Sequence, residues 1–133
     1  MRGSRGGRLR LRVIAPGFLA KHADDAICHL RTVGRTSGRS RTIEIWFATD
    51  GTRIYLLAGG RDRAHWVRNL RVEPRVRVRI GGHTIDGRAR VIEGEQTEMV
   101  ARRLLAAKYQ RWVQGRPLSA WAAGSLPVEI VPA

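Results

Sequence analysis

The chain holds a single cysteine, Cys28, so it can close no internal disulfide and has no Cys-x-x-Cys metal pair. Its four histidines (His22, His29, His65 and His83) are scattered, and none stands at metal-ligand spacing from another. A metal centre is not expected. No apolar run approaches the length of a membrane span. The basic start of the chain is not followed by the apolar stretch and small-residue cleavage site of a secretory leader, so the default location is the cytoplasm. Lysine is scarce as well. Only Lys21 and Lys108 occur, against 23 arginines, and acidic residues are too few to balance them: 25 Lys+Arg face 11 Asp+Glu, for a formal net charge of +14. A field of that sign repels cationic ligands and draws in phosphates, carboxylates, nucleic acid or an anionic membrane face.

What is present fits one folded unit. At 133 residues and 43% hydrophobic, the chain is long enough for one core and too short for two. Residues 1–12 carry Arg2, Arg5, Arg8, Arg10 and Arg12 and read as a basic arm. A solvated tail suits its first half, and an anionic membrane surface is a second resting place. Residues 13–133 read as the domain.

Short strands with turn signals dominate. Residues 27–33 form a first strand, and residues 34–38 a Gly-bracketed turn. Residues 41–49 read as a second strand, with Ile43, Ile45 and Phe47 on one face. Asp50-Gly51 predicts a tight two-residue hairpin. Residues 53–58 are apolar on both faces, so they should be central. A short helix is predicted over 64–72, ended by Pro74. The alternation Arg75-Val76-Arg77-Val78-Arg79-Ile80 is that of a half-buried strand. Gly81-Gly82 turns into a strand over 84–92. A longer helix spans 97–113, with Ala101, Leu105, Tyr109 and Trp112 as its apolar stripe and Gly115 and Pro117 as its stop. Val128–Val131 is a last strand. The fold class is α+β: a small split β-barrel of about six mostly antiparallel strands, with a short helix after the third strand and one longer C-terminal helix.

No catalytic set presents itself; there is no Gly-x-Ser-x-Gly, no P-loop and no Ser, His and Asp in a recognisable context. Two loops combine glycine with arginine instead. One runs from Arg31 to Arg41, the other from Gly59 to Arg71. Glycine lets backbone approach a ligand, and arginine binds phosphate in bidentate fashion. Taken alone, the loops read equally as a phosphate site or as soluble turns.

The run Gly34-Arg35-Thr36-Ser37-Gly38-Arg39-Ser40-Arg41, followed by Gly59-Gly60 and then Trp66-Val67-Arg68-Asn69-Leu70-Arg71-Val72-Glu73-Pro74, resembles the deazaflavin (coenzyme F-420)-dependent nitroreductase and quinone reductase family. The resemblance covers roughly residues 27–91. It implies a split barrel related to the flavin-binding barrels, and a reduced F-420 that passes hydride to nitroaromatics, quinones or similar acceptors. By position, Arg35, Ser37, Gly38 and Arg41 inherit the hold on the cofactor's phosphate and tail. Gly59, Gly60, Arg61, His65, Trp66 and Asn69 inherit the place beside its ring and side chain. Trp46, Tyr109 and Trp112 are the substrate-side candidates. Thr36 stands where many relatives have Lys, and Leu57-Ala58 where they have a Ser-Lys pair, which keeps FMN as the alternative cofactor.

Each of these residues has a plainer reading. Trp66 suits a core position, Asn69 a helix brace, His65 an exposed helix site, and Tyr109 and Trp112 core packing. An F-420-dependent oxidoreductase is the leading function. An FMN-binding reductase or a cofactor carrier with the same pocket is second, and a basic nucleic-acid-binding barrel is third. The third lacks an aromatic platform, because adjacent Trp46 and Phe47 point to opposite faces. A homodimer is compatible with the sequence and not required by it.

Overall fold

The order of the strands puts the last one in sequence inside the sheet rather than at an edge. The computed structural model describes residues 14–133, and the basic arm expected over residues 1–12 lies outside them. Along the chain run α1 (Phe18–Lys21), β1 (Cys28–Val33), β2 (Ser40–Ile45), β3 (Ala48–Thr49), β4 (Ile54–Ala58), a 3-10 turn (Arg61–Arg63), α2 (His65–Val72), β5 (Arg75–Ile80), β6 (His83–Val91), α3 (Glu98–Gln110), α4 (Ala120–Gly124) and β7 (Leu126–Pro132). The strands form one antiparallel sheet in the order β2-β1-β5-β6-β7-β4-β3. The last strand therefore joins the β2-β1-β5-β6 group to the β4-β3 pair.

β2 and β3 are the two edges of that sheet, yet only Trp46 and Phe47 separate them in sequence. The sheet must curl until its edges meet at those two residues. This corrects the single strand expected over 41–49. Ile43 and Ile45 do pack on the core, but the chain then turns, burying Phe47 completely and leaving Trp46 44% exposed. Adjacent strand residues face opposite ways, so a strand that crosses from one edge to the other breaks where a large apolar side chain must enter the core.

The interior holds Leu30, Phe47, Ile54, Leu56, Val78, Ile85 and Ile130, with Leu70 of α2 closing one end. A second cluster lies on the other side of β4, where Tyr55 and Leu57 pack against Ala101 and Leu105 of α3. Every residue of β4 is consequently buried. Its apolar character on both faces is the sequence signal for a strand covered twice.

The turns match expectation in part. Gly81 and Gly82 both have positive φ, and Ile80 pairs with His83, so this hairpin has the two-residue loop that Gly-Gly allows. The Asp50-Gly51 turn is longer than predicted. Thr49 pairs with Ile54, leaving four residues in the loop, and only Gly51 has positive φ. The Asp50 carboxylate organises it, accepting bonds from the N–H groups of Thr52 and Arg53 at 2.9 and 2.8 Å and from the Tyr55 hydroxyl. Burial opposes ionisation of Asp50, but these bonds outweigh it and lower its pKa.

Helix α3 also stops early, at Gln110 rather than near Val113. Arg111 adopts left-handed φ of 56°, and the Trp112 N–H bonds back to the Ala106 carbonyl, a Schellman-like closure made without glycine. Trp112 thus lies beyond the helix. The apolar stripe holds for Ala101 and Leu105, but Arg102 and Ala106 are buried beside them. The sequence reading also missed α4, whose Ser119 Oγ caps the N–H of Ala122 at 3.1 Å, and gave β7 only part of its length.

Candidate functional site

The Gly-Arg loop folds back on itself between β1 and β2. The Gly34 N–H donates to the Arg39 carbonyl and the Gly38 N–H to the Gly34 carbonyl, at 2.7 and 2.8 Å. Gly38 takes φ of 72°, which a side chain would resist. At Gly34 a Cβ would meet Ser37 Oγ at 2.8 Å and the Arg39 carbonyl at 3.0 Å, so this glycine answers a close approach. The Ser37 hydroxyl accepts from the Arg39 N–H at 3.1 Å and serves the turn.

Helix α2 grips this loop through one residue. Asn69, only 3% exposed, accepts with its Oδ1 from both the backbone N–H and the guanidinium of Arg35, at 3.1 and 2.8 Å. Its Nδ2 donates to the buried Thr32 hydroxyl at 3.2 Å. The other terminal nitrogen of Arg35 meets His65 Nδ1 at 3.2 Å. A guanidinium can only donate, so this contact puts the neutral His65 proton on Nε2. Loop, helix and first strand are tied together by a chain of polar contacts, and Arg35 is held through both terminal nitrogens with further donors open.

Around it lies a groove of about 680 Å³, lined by Thr32, Arg35, Thr36, Arg41, His65 and Trp66 among others. Arg41 pairs with Thr32 across β1 and β2, and makes no ion pair among the described residues. None of the groove's lining residues is an Asp or Glu. Trp66 is partly buried, and it packs against the interior core and against Val67 and Leu126. Such a set of donors, with two guanidiniums, several hydroxyls, a ring face and no competing carboxylate, suits an anionic ligand that also carries a flat apolar part.

Of the ten residues expected to hold cofactor, Arg35, Ser37, Arg41, His65, Trp66 and Asn69 converge here. The other four do not line the groove. Gly38 is a turn residue. Gly59 faces the Trp121 ring and Gly60 lies against Ala64. Arg61 is tethered elsewhere, donating to the Gly124 carbonyl at 2.7 Å and forming an ion pair with Glu93. Thr32, Ser40, Thr42 and Ile43 line the groove without having been singled out. Their signal was present in the pairing of two strands that flank the loop.

The substrate-side candidates divide. Trp46 stacks on Tyr109 with ring centroids 4.2 Å apart and planes within 4°. Trp121 adds an edge at 5.5 Å. Tyr109 also fastens the barrel corner, because its hydroxyl accepts from the Phe47 N–H at 3.1 Å and reaches the Ala26 carbonyl at 2.8 Å. Burial raises the Tyr109 pKa. Lys108 donates to the Phe47 carbonyl at 2.9 Å and sits 3.7 Å over the Phe47 ring, and desolvation lowers its pKa. Trp112 belongs to a separate contact, donating to the Arg116 carbonyl at 2.7 Å with Arg103 over its ring.

The family model described as F-420H(2)-dependent quinone reductase matches residues 17–124. The chain belongs to that family. It is an F-420-dependent oxidoreductase with the split-barrel fold of the flavin-binding-like proteins. An F-420-H2 dependent reductase of known structure is 25% identical, with a TM-score of 0.59 over 80% of this chain and 94% of that one. An F-420 reductase at 19% identity has a TM-score of 0.60 over 90% and 96%. A conserved hypothetical protein from Mycobacterium tuberculosis, also at 19%, superposes with a TM-score of 0.68 over 92% and 84%. No curated protein matches by sequence. Among the described residues, no helix of this quinone reductase family member is long and apolar enough to cross a membrane.

Proposed function

We propose that the groove beside α2 holds the anionic end of F-420, and that the protein serves hydride transfer to a flat acceptor of the quinone or nitroaromatic class. When bound, the reduced deazaflavin supplies the hydride. The chain's own residues bind and position. Arg35 and Arg41 take the phosphate or carboxylates, each charge-assisted bond contributing on the order of 1.5–3 kcal/mol. Trp66 provides an apolar wall for the ring. Asn69 acts through Arg35, as a positioning residue. Gly59, Gly60 and Arg61 are left to the loop behind α2 rather than to the ligand.

Trp46 directly follows β2, the strand whose residues 40–43 line the groove. Its half-exposed face, backed by Tyr109, gives a planar acceptor a stacking surface. The observation that carries this reading is Arg35, held by Asn69 and His65 over a groove with no carboxylate in its lining.

Retention through a desalting column tests it. Purified protein is expected to carry F-420 through and to release FMN. Arg41→Ala should weaken F-420 binding by about 1–3 kcal/mol and flatten its salt dependence. Retention of FMN alone, or an Arg41→Ala variant with unchanged affinity at low and high salt, would remove F-420 from this groove.

A further inference from the structure

The outer face of the sheet pairs its charges in two opposite ways. Between β6 and β7, Arg90 stands directly across from Glu129 and bonds it at 3.2 Å, with Glu95 adding a second carboxylate. This is the arrangement that stabilises a sheet. Between β1 and β5, Arg31 stands directly across from Arg77, and between β5 and β6, Arg75 stands across from Arg88. Like charges placed directly opposite destabilise a pair of strands. Two such pairs on neighbouring strands are a local conflict in a sheet that otherwise avoids one.

Only half of that charge is neutralised. Arg75 is paired with Glu73 at 2.8 Å and Arg77 with Asp86 at 3.0 Å. Arg31 and Arg88 form no ion pair among the described residues. Arg75, through its hydrogen bonds and then its charge, drives the Glu73 pKa down to about 2, and Arg88 adds to this through space. Glu73 and Asp86 are each bound by one of the four arginines. Four guanidiniums outnumber two side-chain carboxylates, Glu73 and Asp86, in the lining of a groove of about 540 Å³ that also includes Val33 and Gly87. It is a different groove from the one beside α2, and the two share only Ser40 in their linings.

We propose that this outer groove is a second anion site, which takes a small ligand bearing two or more carboxylates, or a phosphate, across Arg31 and Arg88. The bound anion supplies the counter-charge that the sheet lacks, so binding and sheet stability are coupled. The site is argued from charge pairing alone and stands whether or not the α2 groove holds F-420.

Melting of the full chain at low ionic strength, with citrate and inorganic phosphate as probes, tests the site. Citrate should raise the melting temperature of the wild type along a saturating curve, as a ligand of the native state must. The Arg31→Thr/Arg88→Thr variant should melt higher than wild type without citrate, because the opposed charges are gone. It should bind citrate at least about tenfold more weakly, the effect of losing one charge-assisted bond. Arg41→Ala should keep the outer-groove response. An undiminished response in protein carrying F-420 assigns the groove to a free anion; loss of that response assigns it to the cofactor's own carboxylates. Equal citrate shifts in wild type and the double variant would overturn the site. So would a wild-type shift reproduced by sodium chloride at matched ionic strength, which would mean screening only.

Discussion

The two helices that cover the barrel use their polar residues in opposite ways. Helix α3 turns two of its three cations, Arg102 and Lys108, inward and commits them to backbone. Arg102, 3% exposed, donates to the carbonyls of Ala122 and Ser125 at 2.8 Å each and pairs with Glu98. Lys108 and Tyr109 fasten the Trp46-Phe47 corner, where the chain has left one strand and not yet begun the next. Backbone groups at such a break need partners from elsewhere, and the helix provides them. Helix α2 instead uses Asn69 to hold an arginine of a neighbouring loop at the surface, with donors still open. One helix consumes charge and the other presents it. In a chain with 23 arginines, their number therefore says little about where a ligand binds. What marks a site is the arginine that is held in place without being neutralised.

Three substitutions put that contrast at risk. The largest effect is expected from Arg102→Ala, which leaves two buried carbonyls and Glu98 without their partner. It should cost on the order of 3 kcal/mol of stability, read by urea unfolding, while cofactor affinity in whatever protein still folds stays at the wild-type value. A cost below about 0.5 kcal/mol would make Arg102 an ordinary surface ion pair. Tyr109→Phe comes next. Losing the corner's hydroxyl should destabilise by about 1–3 kcal/mol, and the Trp46 stack should survive because the ring remains. An unchanged denaturation midpoint would mean that Lys108 alone holds the corner. The smallest and most discriminating change is Asn69→Ala. Stability should fall by about 1 kcal/mol, and F-420 affinity should fall as well, although Asn69 makes no ligand contact in this reading. Adding Arg35→Ala to Asn69→Ala should then lower affinity little further, since both act through the same guanidinium. Additive losses would show instead that Asn69 binds the cofactor directly.

Much of the architecture was legible in the residues. β5 could be read from its alternation, β4 from being apolar on both faces, and the β5–β6 turn from its two glycines. What could not be read was the break at Trp46-Phe47. Nothing local signals it, because it arises only when a curled sheet brings its first and last edges together. The early end of α3 escaped for a related reason: Arg111 closes the helix in a conformation that propensity would reserve for glycine. The site was half legible. The Gly-Arg run and the Trp66 to Asn69 segment are separated by about thirty residues, and the resemblance to a known family linked them. That Asn69 reaches Arg35 is a fact of three-dimensional packing. Arg61 shows the limit of a local reading in another way, since its partners, Gly124 and Glu93, lie far along the chain.

The position of β7 bears on how such a chain comes off the ribosome. Residues 126–132 occupy the middle of the sheet, hydrogen-bonded to β6 on one side and β4 on the other. Until they emerge, the β3–β4 hairpin has no second neighbour, and Ile54, Leu56 and Phe47 have only part of the interior to enter. The sheet becomes continuous only once β7 is in place, so folding is governed by long-range pairing. In the interval an apolar hairpin edge is open to any other strand.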